Sequence, residues 1–122
     1  MNTIKTFEDL TAWQKAHALI LLVYKLSHSF PIEELYSLTS QIRRSAVSIP
    51  SNIAEGFNRF GQADKIRFYN IAQASTEETR YQLILAHDLG YADTKNQQSK
   101  ALEVKKIIGG LIKSIKLKQS AE

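Results

Sequence analysis

Residues 41–56 read QIRRSAVSIPSNIAEG, and their spacing decides the fold. Ile42, Ala46, Ile49 and Ile53 recur every three or four positions, the period of one face of a helix. Leu35 and Leu38 before the stretch and Phe57 after it lie on the same stripe. Pro50 has no N–H to give the Ala46 carbonyl, yet the period continues past it. The spacing therefore predicts a kinked helix and not a break, over about Ile32–Phe57. Pro31 suits a first helical turn, and Glu33 and Glu34 favour the positive end of the helix dipole.

The same period runs outward in both directions. Before Pro31, Leu10, Trp13, Ala16, Ile20, Tyr24 and Ser27 form one stripe. Leu19, Leu22, Leu26 and Phe30 form another beside it, so that apolar residues cover roughly 240° of a helix over Phe7–Phe30. Beyond Gly61 a third helix is predicted over Ala63–Leu89, ending at Gly90 as a left-handed cap with Tyr91 folding back. A fourth is predicted over Thr94–Leu117, opened by the capping-box pattern of Thr94 and Gln97. Ala101, Val104, Ile107, Ile108, Leu111, Ile112 and Ile115 share its apolar side. Gly109 and Gly110 inside it cost about 1 kcal/mol each relative to Ala, so close backbone packing or loose final turns are expected there. The middles of the second and third helices are small, with Ser45, Ala46 and Ser48 against Ala72, Ser75, Thr76 and Thr79. Four long helices on short connections read as an antiparallel up-down bundle in a single domain spanning 1–122.

Composition agrees. The chain has 122 residues, 43% apolar and 23% charged, no Cys, 5 Gly and 2 Pro. These numbers exclude wholesale disorder, a disulfide framework and a thiolate metal site. The longest apolar run is Ala18–Tyr24, against the roughly 20 residues a membrane span needs. No membrane partner is expected, and the N-terminus has no signal-peptide core, so a cytoplasmic location is the expectation. The net charge is +4, and its distribution is uneven. Thr94–Ser120 holds seven Lys and one acid, whereas Gly61–Asp93 is net acidic.

Residues 41–56 also closely resemble the signature of the four-helix-bundle family of 23S ribosomal RNA intervening-sequence proteins. The run SIPSNIAEG at 48–56 is specific to find inside a helix. Asp9, Leu10, Trp13, Lys15 and Ala16 look like the family's opening; Phe30, Pro31, Tyr36 and Leu38 like its second-helix start. Phe68, Ala72, Ser75, Glu78, Leu83, Leu89, Gly90 and Tyr91 look like its third helix. The resemblance covers roughly Phe7 to Tyr91, and the fourth helix matches only in character. Ala74 stands where the family often has Gly, and Thr76 where it often has Leu, departures that bear on packing. The resemblance implies a cytoplasmic bacterial bundle, a ring-like homopentamer and no enzyme activity. Some members are encoded within insertions in ribosomal RNA genes. Related proteins serve reverse transcriptases of diversity-generating retroelements as accessory factors that bind nucleic acid. A reverse transcriptase or another nucleoprotein is thus an implied partner.

Three residue sets are candidates for function. On the second helix Gln41, Ser45, Ser48, Asn52 and Glu55 form a polar stripe beside the apolar one. Its expected role is a structural network, with Asn52 and Glu55 mostly buried and meeting Ser75 and Glu78 of the third helix. The alternative is an acid–base site at Asn52, Glu55 and Glu78, but no His or nucleophile lies in the matching stretch to complete it. No metal or other cofactor is expected. A di-metal bundle needs Glu-x-x-His pairs, and Asn58, Arg80, Tyr81 and Lys106 follow Glu55, Glu77, Glu78 and Glu103 at that spacing. His17, His28 and His87 fall on different helices.

The second set is basic. Lys95, Lys105, Lys106, Lys113 and Lys116 fall within roughly 100° of the fourth helix, opposite its apolar side. Arg59, Lys65 and Arg67 interleave with Phe57, Phe60 and Phe68, read mainly as core phenylalanines beside solvated cations. Both clusters are candidate RNA or DNA contacts through phosphate neutralisation. The alternative is a protein-interaction scaffold that binds no nucleic acid. The third set is apolar. If the bundle covers one stripe of the first helix, Leu19, Leu22, Leu26 and Phe30 remain to bury against another copy of the chain. The stripe predicts a homo-oligomer, and the family resemblance supplies a ring of five.

Overall fold

The computed structural model describes residues 3–121. Among them there are four α-helices and no strand: α1 (Thr11–Ser27), α2 (Leu38–Phe57), α3 (Gln62–Asp88) and α4 (Lys95–Ala121). Short 3-10 turns at Phe7–Asp9 and Ile32–Glu34 precede α1 and α2. The helices stand at the corners of a square. α2 packs on α1 and α3, and α4 packs on α3 and closes on α1, while the diagonal backbones stay apart. Leu19, Val23, Ile42, Ile49, Ile53, Leu83, Val104 and Ile108 fill the space between them.

The first two helices are shorter than their periodicity predicted. Asp9 accepts the backbone N–H groups of Lys5 and Thr6 at 2.9 and 3.1 Å, which closes the 3-10 turn. Those bonds hold its carboxyl below the usual carboxylate range. Leu10 is then extended, and α1 begins at Thr11. Ahead of α2, the Glu34 carboxylate accepts from the Ser37 hydroxyl and from Leu38 N–H. α2 thus begins at Leu38, six residues later than the expected Ile32. α2 runs through Pro50 unbroken, as expected.

Gly90 has φ +78°, and the cap around it is complete. Gly90 N–H donates to His87 and Tyr91 N–H to Ala86, the paired bonds of a Schellman motif. The start of α4 differs from the expected box. Thr94 is buried, and its hydroxyl donates to the Leu83 carbonyl of α3 at 2.6 Å. Asp93, not Gln97, supplies the carboxyl-type cap, accepting from Lys95 N–H at 3.2 Å. At Gly109 a Cβ would lie 3.0 Å from the Gln73 side-chain amide, which donates to the Lys105 carbonyl, and at Gly110 nothing lies within 4 Å.

The expected apolar interface on α1 is corrected. Leu19 and Phe30 are buried in the core, and Leu22 and Leu26 are half-buried. A helix in a square has two neighbours, so most of both stripes is covered, with Tyr24 of the first stripe left exposed. The outward apolar residues of α1 are Leu21 and Tyr24 instead.

Candidate functional site

The seam between α2 and α3 is polar because its residues are small enough for the helices to approach. At Gly56 a Cβ would lie 2.7 Å from the buried Tyr69 ring. Further along, the buried Ser45 hydroxyl donates to Gln82 Oε1 at 2.7 Å and lies 2.8 Å from Thr79 Oγ1. Ser48 and Ser75 share a bond of 2.9 Å, and Asn52 donates to the Ser48 carbonyl and hydroxyl. These side chains satisfy one another, as buried polar groups must.

Outside that seam lies an open groove of about 390 Å³, lined by Gln41, Arg44, Ser45, Ser48, Ser75 and Glu78. Five of the seven residues expected in the network, Gln41, Ser45, Ser48, Ser75 and Glu78, therefore meet in one place. Glu55 does not join them. It is exposed, pairs with Arg59 at 3.0 Å one helical turn away, and lies outside the groove wall. Asn52 is half-buried and bonds within its own helix. Gln41 and Glu78 are exposed at the rim. The two carboxylates expected to meet are thus separated, because the register of the two helices sets Gly56 beside Tyr69 and Ser45 beside Gln82, so that Glu55 and Glu78 lie at different heights. Thr79 and Gln82 complete the network and were not assigned to it from sequence. Their spacing from Ser75, four and then three residues, mirrors the polar stripe on α2 and was the available signal.

The basic residues divide by what they touch. Ala101, Val104, Ile108, Ile112 and Ile115 turn the inner side of α4 into the core. Lys95, Lys106, Lys113 and Lys116 are exposed on the outer side and have no ion-pair partner among the described residues. Lys105 is instead half-buried and pairs with Glu77 of α3 at 2.8 Å. Arg80 binds the other oxygen of Glu77, and the two cations hold that carboxyl at a pKa of about 2. Lys105 is therefore a helix-to-helix tie.

At the α2–α3 turn, Lys65 donates to the carbonyls of Gly56 and Phe57 at 3.2 and 2.6 Å. It caps the end of α2, and its burial lowers its pKa below the usual lysine value. The guanidinium groups of Arg59 and Arg67 lie 4.5 and 4.4 Å from the Phe68 ring and pair with Glu55 and Asp64. Phe57 and Phe68 are half-buried, whereas Phe60 is fully exposed, against the expectation that these rings are core.

The histidines serve local structure. His17 stacks on Trp13 at 4.9 Å, and His87 accepts the Thr94 N–H. Among the described residues no group of three His, Cys, Asp or Glu could hold a metal ion, and no helix is long and apolar enough to cross a membrane.

No curated protein matches this chain. It is similar to a crystal structure from Bacteroides thetaiotaomicron VPI-5482, described as a protein with unknown function from the S23 ribosomal protein family. The TM-score is 0.77 at 26% identity, over 84% of this chain and 95% of that one. The model of the 23S rRNA-intervening sequence protein family matches residues 8–113, a span that holds α1–α3 and most of α4. On that match, over the greater part of its length, the chain belongs to the 23S rRNA-intervening sequence protein family.

Proposed function

We propose that this chain is a non-catalytic, cytoplasmic, antiparallel up-down bundle that self-associates and binds RNA or DNA through the outer face of α4. The observation that carries the reading is the row of Lys95, Lys106, Lys113 and Lys116, exposed on one helix face without ion-pair partners among the described residues. Repeated around an oligomer, such a face neutralises phosphates and releases counterions without choosing a sequence. A ring of five, the arrangement the family resemblance implies, would present five such faces. Arg59 and Arg67 add a second basic surface, since exposed ion pairs such as theirs are weak enough to exchange for phosphate. The separation of Glu55 from Glu78 argues against acid–base chemistry. The descending register of contacts, Ser45 with Gln82 and Gly56 with Tyr69, supports the antiparallel arrangement.

Salt-titrated binding of single- and double-stranded RNA and DNA tests the reading. Reversal of Lys106, Lys113 and Lys116 to Glu is expected to lower the log–log salt slope by about 3, roughly one per lysine. Binding that ignores salt, or no binding by the oligomer at low salt, would leave the protein-interaction scaffold as the better reading.

A further inference from the structure

The turn between α2 and α3 is tied at both ends. Asn58 N–H donates to the Ala54 carbonyl, Arg59 N–H to Gly56 and Lys65 N–H to Gly61. The Lys65 ammonium holds the Gly56 and Phe57 carbonyls, so it orders the turn and does not face a ligand. On this ordered turn the Phe60 side chain projects into solvent, 103% exposed. Its ring adds nothing to the core, so packing gives no reason for an aromatic residue there.

A lone exposed ring is ordinary on a protein surface. Phe60 is not alone. The guanidinium groups of Arg59 and Arg67 both lie against the Phe68 ring, which keeps them beside the turn. Each makes one exposed ion pair, with Glu55 and Asp64, and such pairs are weak. Those pairs engage only part of each guanidinium's set of N–H donors. The turn therefore carries a free ring next to two cations able to turn toward phosphate. In the antiparallel arrangement proposed above, Leu83 meets Thr94 and Gln73 meets Gly109, so Lys113 and Lys116 of α4 stand toward this same end of the bundle. A strand held by those lysines has the turn within its path.

We propose that Phe60 is a stacking platform for an unpaired base, flanked by Arg59 and Arg67 on the adjoining phosphates, and that the chain accordingly prefers single-stranded to double-stranded nucleic acid. The inference rests on the nucleic-acid reading above and adds to it a choice of strand. Rings interleaved with cations are what single-strand surfaces use, the ring meeting the face of a base and the cations meeting the backbone. Inside a duplex both faces of a base are covered by its neighbours, so a projecting ring finds no partner there. Cations alone, as on α4, give no such preference.

Fluorescence-anisotropy titrations of the full chain with oligothymidine, oligouridine and a DNA duplex of the same length test this. At equal salt the wild type is expected to bind at least one single strand about fivefold or more tightly than the duplex, and the tighter strand names the sugar. Phe60→Ala and Phe60→Leu are each expected to lose about fivefold or more in single-strand affinity. Both are expected to keep the duplex affinity, the salt slope and the melting temperature, because the ring is uncharged and unpacked. Phe60→Trp is expected to bind single strands at least as tightly as the wild type. Equal affinity for single strands and duplex, or a Phe60→Ala protein that binds single strands as the wild type does, overturns the platform while the electrostatic reading stands. Full affinity in Phe60→Leu shows apolar contact without stacking and also overturns it. A Phe60→Ala protein with a changed oligomeric state by native mass spectrometry assigns the ring to a contact between copies and overturns it too. No binding of any probe at low salt overturns the nucleic-acid reading itself, and the platform with it.

Discussion

The Tyr91 hydroxyl donates a 2.6 Å hydrogen bond to Glu34 Oε2, across 57 residues of sequence. It ties the α1–α2 connection to the α3–α4 connection at one end of the bundle, where the Tyr91 and Phe30 rings also meet at 5.9 Å. Bonds from Ser37 and Tyr91 hold the Glu34 carboxyl below its usual pKa, and the same contact raises that of Tyr91. A carboxyl with a depressed folded-state pKa stabilises the fold above its unfolded value and loses that contribution as pH falls. Tyr91→Phe is expected to raise the Glu34 pKa and lower the melting temperature at neutral pH. A carbon-detected NMR titration of Glu34 checks it, and an unmoved pKa would show that the hydroxyl does not reach the carboxylate in solution.

Glu77 also contributes to stability against acid. Arg80 and Lys105 take its pKa from 4.5 to about 2, so its contribution is complete above about 4.5 and disappears as pH falls through about 2. Its side chain is 40% exposed, so solvent screening reduces that contribution to about 1 kcal/mol. Glu77→Gln is expected to cost about that much at pH 7 and little near pH 2. Urea unfolding at both values measures it, and an equal loss at each would point to packing and not charge.

The α2–α3 network predicts an ordering of variants. Ser45→Ala leaves Gln82 and Thr79 without their buried partner and is expected to cost about 1–3 kcal/mol. Asn52 is half-buried and bonds only within α2, so Asn52→Leu is expected to cost under about 1 kcal/mol. Denaturant midpoints for the two proteins decide the order, and the reverse order would place the network's centre at Asn52.

Two glycines in helices respond oppositely to Ala. At Gly56 a Cβ meets the Tyr69 ring at 2.7 and 2.9 Å, and Tyr69 is buried, so Gly56→Ala is expected to cost about 1–3 kcal/mol. At Gly110 nothing lies within 4 Å, so Gly110→Ala is expected to gain up to about 1 kcal/mol of helix propensity. Thermal melts of the two single variants check the opposite signs.

The helices themselves were legible in residue spacing, because a 3.6-residue period is a local property that survives without knowledge of neighbours. Gly90 was legible as a cap for the same reason, since a left-handed residue after a helical run favours glycine. The facing small residues of α2 and α3 also predicted close approach, and family membership followed from residues 41–56. What sequence could not settle was which groups each side chain would meet. It assigned Leu19 and Phe30 to an outer interface, but α1 has two helical neighbours and both residues lie in the core. It counted Lys65 and Lys105 as free cations, whereas one caps α2 and the other ties α4 to α3. It buried Glu55, which is exposed beside Arg59. Charge and capping partners lie on other helices or depend on rotamers, so only the tertiary arrangement decided them.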